Sequence, residues 1–510
     1  MSAATFEDAA TFEEEVPVLV VGAGPAGLSA AITLAAHGVP CLLVERRATP
    51  PSLPRATVTS LRTMELVRSW GLTDAVLTGA TDVVWLLWMC TTLAEAGAGT
   101  GHDVGIPSRA ESALLSPTAP ACVPQDHLER VLLRHLRAMP DTRVEVGVEL
   151  VSLENDTSGV RATVRDLASG RHRVVRARYL LAADGVRSRV RTALGVAQHG
   201  ADHLHESVSV LFHAPLWDVA GAHRYGIYGV THPEAAGTLL PAGGDRWIYA
   251  FEWDPAREQL DRYTTERLTD LIRLASGASA LAPRITNVGA VTFGAFIAER
   301  FRDGRTFLIG DAAHRITPRG GTGMNMAIAD GYDLGWKLAW VLRNWADPGL
   351  LDTYEAERRP AAQHNLERSM DPLGSRRPST DEVHVDLGGR LAHVWLQGEQ
   401  VQTSTLDLLG RGLTLFTVPS AWEGAAALVE ADVPIDVRVL DRFTARALGV
   451  RGCGAMLVRP DGIVVGSWVD DDNALGALRN ATVRALCQRA SRPMSASSEL
   501  AMPASPQHVA

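Results

Sequence analysis

Two hydrophobic rhythms alternate along the chain. Short unbroken apolar runs at 18–21, 41–45, 179–183 and 306–309 have the pattern of parallel strands buried on both faces. Between them lie helical patterns at 25–37, from about 125, and at 324–343. The pattern changes over 198–295, where strand-like runs at 208–213, 225–230, 246–253 and 288–295 bring Trp247, Tyr249, Phe251 and Trp253 onto one face. A further run at 83–90 has the same character. Additional strands are expected at 143–153, 160–166 and 171–182. The last block reads as a strand at 413–418, a helix at 421–431, a strand at 435–440 and a hairpin over 455–468 turning at Pro460-Asp461-Gly462. This is an α/β chain, and 510 residues exceed what one core accommodates.

Three turns carry candidate chemistry. The strand at 306–309 stops at Gly310-Asp311, and Pro318-Arg319-Gly320-Gly321-Thr322-Gly323 precedes the helix beginning near Met324. A strand, a glycine loop and a helix N-terminus gather backbone N–H groups around one point, a site for negative charge or a polarised carbonyl. Asp311 is placed to accept hydrogen bonds from a sugar-like hydroxyl. Near the N-terminus, Gly22, Gly24 and Gly27 with Pro25 and Ala26 lie between strand and helix, and Glu45 ends the next strand. That spacing is the dinucleotide fingerprint: glycines for the turn, the pyrophosphate approach and helix packing, and an acid for a ribose. The third turn, Asp184-Gly185, ends the middle strand and is followed by Arg187, Ser188 and Arg191, donors suited to phosphates.

In this order the three motifs resemble the FAD-dependent aromatic hydroxylases, single-component flavoprotein monooxygenases of the para-hydroxybenzoate hydroxylase type. The resemblance covers residues 16–370, with a weaker extension to about 490. It implies a Rossmann-like FAD-binding domain (16–78, 116–197 and 296–370) with a mixed β-sheet substrate domain inserted (79–115 and 198–295). A linker (371–384) and a thioredoxin-like C-terminal domain (385–490) follow; residues 1–15 are expected to be a disordered lead and 491–510 a disordered tail. By resemblance, Arg46 and Arg55 lie by the ADP half of the cofactor, Gln125 by the ribityl chain, and Leu150 by adenine through its backbone. Asp126 is the expected cap of the Gln125 helix, with Glu129 in the capping-box position. Asp184 serves the ribityl phosphate side and, transiently, the nicotinamide. Backbone donors at Gly321, Gly323, Met324 and Asn325 fit the charge that develops on a reduced flavin. Pro318 lies over the ring near the oxygen site, and Arg319 beside it departs from common family versions. His213, Arg224, Tyr228, Trp247, Pro318 and Arg319 are the substrate-pocket candidates, although an aromatic face of this kind also makes ordinary core.

The implied activity is NAD(P)H- and O2-dependent hydroxylation of a phenolic or quinonoid, polycyclic polyketide-like compound through a flavin C4a-hydroperoxide, with NADPH favoured. It would be a tailoring step in antibiotic biosynthesis. Baeyer–Villiger insertion or oxidative decarboxylation would use the same cofactor, and a non-catalytic FAD-binding partner is the rival from another class. A net charge of −9 argues against a nucleic-acid binder. Five scattered cysteines without CxxC form neither a disulfide framework nor a zinc site and exclude dithiol chemistry in the last domain. They point to a cytoplasmic location. The uncharged stretch 16–44 holds four glycines and three prolines, so buried parallel strands explain it without a membrane span. The expected assembly is a monomer or homodimer, with no metal and no catalytic side chain assigned.

Overall fold

A computed structural model describes residues 13–49, 54, 56–396, 402–429 and 431–487. Its first eight-stranded sheet runs in the order Arg302–Asp303, Thr306–Leu308, His172–Ala182, Glu13–Val21, Cys41–Glu45 and Thr142–Val146, with Val148–Asn155 and Val160–Asp166 attached as a hairpin. The four central pairings are parallel, which explains the unbroken apolar runs: Val18, Leu19 and Val20 are wholly buried. Glu13, Glu14 and Glu15 were expected in the disordered lead; instead they lengthen the first strand. Glu13 pairs with Arg176 and Glu14 with Arg143, so neighbouring strands neutralise the acidic run. The single strand expected over 143–153 is two strands, because the chain turns at Gly147 with φ +73°.

Helices Pro25–Ala36 and Gly323–Leu342 cross on one face of this sheet at backbone distance. A Cβ on Gly331 would stand 2.2 Å from the Ala26 carbonyl oxygen, and one on Gly335 would stand 2.7 Å from Thr33 Cβ. Small residues at the crossing bring the two helix N-termini to the same end of the sheet.

The second sheet is mixed, in the order His314–Arg315, Arg284–Ala298, Gln198–His213, Arg246–Glu252, Gly237–Pro241, Tyr225–Val230, Val84–Cys90 and Thr100–His102. Its period-two alternation sends Phe212, Tyr228, Leu239, Trp247 and Tyr249 into a core covered by helix Thr265–Ser276. The opposite face carries Leu211, Leu240 and Ile248 and turns to the first domain, where Arg246 grips Asp126 bidentately at 3.0 Å. In the glycine cluster at 97–101, Gly99 and Gly101 lie against the Trp88 ring.

The C-terminal block has the expected thioredoxin-like order, with Leu413–Thr417 parallel to Ile435–Val439 and antiparallel to Ala455–Val458, which pairs with Val464–Trp468. It shares an apolar cluster with the first domain through Trp336, Trp340, Leu415 and Trp422. The hairpin tip adds a charged seam. Arg459 donates to both Glu357 oxygens at 2.7 and 2.8 Å, and Tyr332 donates to the Pro460 carbonyl. Wholly buried Lys337 bridges Asp333 and Glu357 at 2.8 Å each. Glu357 itself stays about one-third exposed, so its ion pairs contribute less than those of a fully buried set. The expected 371–384 linker is largely ordered. Helix Ser379–Leu387 occupies part of it, held by buried Glu382 against Arg368 at 2.9 Å. No helix among the described residues is long and apolar enough to cross a membrane.

Candidate flavin site

The three turns meet. A Cβ on Gly22 would stand 2.3 Å from the Ala183 carbonyl oxygen, and one on Gly27 would stand 2.0 Å from the Gly22 carbonyl oxygen. The first turn is therefore wedged against the strand end that carries Asp184. Ile309 N donates to Ala182 O at 3.0 Å, and Gly310 abuts Ala26, whose Cβ would be 2.9 Å from a Cβ placed there. Only glycine admits these approaches. Gly24, by contrast, has open space in front of it, and helix Pro25–Ala36 has no side-chain cap. Its first N–H groups and dipole are left to whatever anion fills that space.

The second helix N-terminus has the same character. Thr322 caps Gly323–Leu342 without a side-chain bond, and its Oγ1 is shielded and unpartnered. Helix geometry leaves the N–H groups of Gly323, Met324 and Asn325 without carbonyls of their own helix. The Asn325 side chain braces the loop: Oδ1 accepts from Ser60 N at 2.9 Å, and Nδ2 donates to Val58 O and Gly321 O at 3.1 and 3.0 Å. Asp311 is the middle residue of the turn Gly310–Ala312. Behind it, buried Asp330 accepts from Gly310 N at 3.1 Å, His314 Nε2 at 2.6 Å and Arg358 Nε at 2.8 Å. Burial pushes the Asp330 carboxyl up, but attraction to His314 and Arg358 outweighs it and holds the group below the usual range. His314 thus fastens the turn from beneath.

Asp184 has one oxygen engaged, Oδ2 accepting from Val190 N at 3.1 Å, while shielded Oδ1 has no hydrogen-bond partner. Burial raises its pKa. Arg191 is not a phosphate donor: its guanidinium is spent on the Ala312 and Val186 carbonyls at 3.0 Å each, tying the Asp184 turn to the Asp311 turn. Glu45 receives Ala23 N at 2.9 Å, Arg46 is exposed, and Arg55 lies outside the described residues. Gln125 is the first residue of helix Gln125–Ala138 and donates to Glu129 at 2.7 Å. The expected capping box does not form there. Pro124 is the N-cap, and Asp126 is drawn inward by Arg130 and Arg246. Leu150 is buried at a register shift in its strand.

The substrate candidates do not gather. Tyr228 and Trp247 are wholly buried in the core on the far face of the sheet, with Tyr228 Oη against His223 O and Trp247 tilted 4.5 Å from Trp217. Arg224 stacks on Trp217 at 4.1 Å. His213 shares the inner face but is tied to Asp245 at 2.8 Å at the sheet's end. Pro318 is exposed, and Arg319 donates to Ser369 O at 3.1 Å. The inner face instead offers Leu87 and Met89, paired in register with Ile227 and Gly229. Both are half-buried. The signal that could have found them is parity: with Trp88 beside Tyr228, odd-numbered neighbours of that strand must point the other way.

Comparison with known proteins matches this geometry. A family model described as an FAD binding domain covers residues 15–369, and one described as aromatic-ring hydroxylase, C-terminal, covers residues 384–489. The tetracenomycin A2 monooxygenase-dioxygenase of Streptomyces glaucescens is 34% identical, over 94% of this chain and 98% of its own. Aklavinone 12-hydroxylase DnrF of Streptomyces peucetius is 35% identical over 80% and 93%. The crystal structure of a ternary complex of aklavinone-11 hydroxylase with FAD and aklavinone has 32% identity, a TM-score of 0.83, and coverage of 93% of this chain and 99% of that one. Fold and turns together define an FAD-dependent monooxygenase. More narrowly, the chain belongs to the aromatic-ring hydroxylase family.

Proposed function

We propose that this chain hydroxylates a phenolic or quinonoid ring of a polycyclic polyketide, using O2 and NADPH, as a tailoring step in antibiotic biosynthesis. The observation that carries the reading is the meeting of three turns and two uncapped helix N-termini opposite an apolar, half-buried sheet face. The names of the tetracenomycin and aklavinone relatives support the substrate class.

The residues present fit FAD. The open space at Gly24 and the helix N-terminus behind it suit a pyrophosphate, and the orphaned Asp184 Oδ1 awaits a donor such as a ribityl hydroxyl. Glu45, with Arg46, Arg55 and the Leu150 backbone, would hold the ADP half. Gln125, Asp184 and Asp311 would hold the ribityl chain. The N–H groups of Gly323, Met324 and Asn325 would stabilise negative charge at the pyrimidine edge, with Gly321 beside them. FAD held there would supply the transfer of two electrons from the nicotinamide and of one O2 atom to the ring, the other atom leaving as water. Pro318 presents no N–H to that region, and Leu87 and Met89 exclude water from the substrate side. Arg319, held at Ser369, keeps a positive charge at the loop for an anionic substrate or nicotinamide phosphate. The reading places the enzyme in the cytoplasm as a monomer or homodimer.

The test is a screen of hydroxylated polycyclic aromatics against the purified holoenzyme. Substrate-stimulated NADPH oxidation with a product one oxygen heavier is expected. A chain that remains colourless when offered FAD, or whose NADPH oxidation no such compound stimulates, would overturn the reading.

A further inference from the structure

Helix Ser379–Leu387 begins in the gap between the segments matched by the two family models and runs into the second, which contains Asp386, yet it reaches the flavin loop. Asp386 accepts from Ser60 Oγ at 2.7 Å through Oδ1 and from Arg62 N at 3.0 Å through Oδ2. It therefore completes, from 326 residues away, the N-terminus of helix Leu61–Ser69 that Ser60 caps. Ser60 N in turn donates to Asn325 Oδ1, and Asn325 Nδ2 donates to Gly321 O. Asp386, Ser60, Asn325 and Gly321 thus form one hydrogen-bonded line ending at the glycine loop. A cavity of about 60 Å³ bordered by Ser60, Gly321, Asn325 and Asp386 lies beside this line. The same helix also reaches the loop through Glu382, which holds Arg368 against Gly320, so the polar line is one of two connections between helix and loop.

We infer that Asp386 is a positioning residue for the flavin: it holds Ser60 and Asn325 so that the loop at 320–323 presents its N–H groups in register. This rests on the reading of that loop as the flavin's anion site. It gives the post-domain helix a part in the chemistry that neither its place in the sequence nor its polar character announces.

The test is a double-mutant cycle on the full chain with FAD as ligand, reading the FAD Kd, the visible flavin spectrum and far-UV circular dichroism. Asp386→Asn removes the charge and one acceptor, and Ser60→Ala removes the bridging hydroxyl, which also accepts from Thr63 N. Each is expected to raise the FAD Kd about tenfold, with an altered flavin spectrum and an unchanged fold. The double variant should be no worse than the worse single variant, because both break the same line. Wild-type Kd and spectrum in both folded single variants would overturn the inference, as would fully additive effects. If Asp386→Asn fails to fold, Ser60→Ala decides alone: a spectrum and Kd like wild type would end the proposal. FAD binding by the wild-type chain distinguishes these failures from failure of the functional reading, which would take the inference with it.

Discussion

The two glycine turns that face each other across the site are built differently. At Gly22 and Gly27 the neighbours that forbid a side chain are backbone atoms, 2.3 and 2.0 Å from a Cβ placed there. At Gly320 the neighbour is the Arg368 guanidinium, 2.6 Å away, and at Gly321 it is the Val58 side chain at 3.1 Å. Arg368 is itself held by Glu382, Gly374 O and Val104 O at 2.8–2.9 Å. The first turn is therefore a rigid product of its own strand–helix unit. The second is a platform carried on side chains from three other parts of the chain. Local geometry can be inherited with a motif, whereas a platform must be supported from outside.

Substitutions should expose that difference. Gly27→Ala has no room to relax, because both helix and strand would have to part; a loss of about 3 kcal/mol or more of stability is expected, with FAD content near zero. Thermal unfolding and flavin absorbance check it, and a stable, yellow variant would show the first turn to be softer than its geometry. Asp311→Ala should leave the melting curve nearly intact. The loss of a charge-assisted hydrogen bond should still raise the FAD Kd by about 10- to 100-fold. Gly320→Ala should be milder, about 1–2 kcal/mol for a left-handed backbone at φ +83°, since its obstacle is a side chain and not backbone. If Gly320→Ala proved as severe as Gly27→Ala, the contrast between the two turns would collapse.

The smallest effect at neutral pH concerns the support seam. Burial pushes the Glu357 carboxyl up, but hydrogen bonds and attraction from Arg459 and Lys337 outweigh it and lower it from 4.5 to about 2. The stability its ion pairs add is therefore complete above pH 4.5 and lost as pH falls from 4.5 towards 2. Asp333 works in the opposite sense: burial raises it from 3.8 to about 6, so its contribution declines as pH rises through that interval. Below 3.8 Glu357 adds to a decline in thermal midpoint that Asp330 and other carboxylates held below their usual range also drive. Because Arg459 lies 5.2 Å from the Trp336 ring, tryptophan fluorescence should change over the same range. In Glu357→Gln that acid-dependent change should be absent.

The dinucleotide turn, the strands flanking it, the Gly310-Asp311 turn and the long helix after it were legible because each is a local pattern: an apolar run of fixed length, then glycines or an acid at fixed offsets. The site's supports were not. Asp386 and Arg368 carry no motif, Asp126 looked like a helix cap until Arg246 drew it inward, and Arg191 looked like a phosphate donor until the Ala312 carbonyl claimed it. The inner and outer faces of the second sheet differ by one residue of parity, which an aromatic count cannot see. What the amino-acid order determined by itself was every feature whose cause lies within a turn or two of the chain. What tertiary structure decided was the pairing of charged side chains across hundreds of residues and the side of a sheet that meets the ligand. Side-chain reach and burial act through space, and separation along the chain does not encode them.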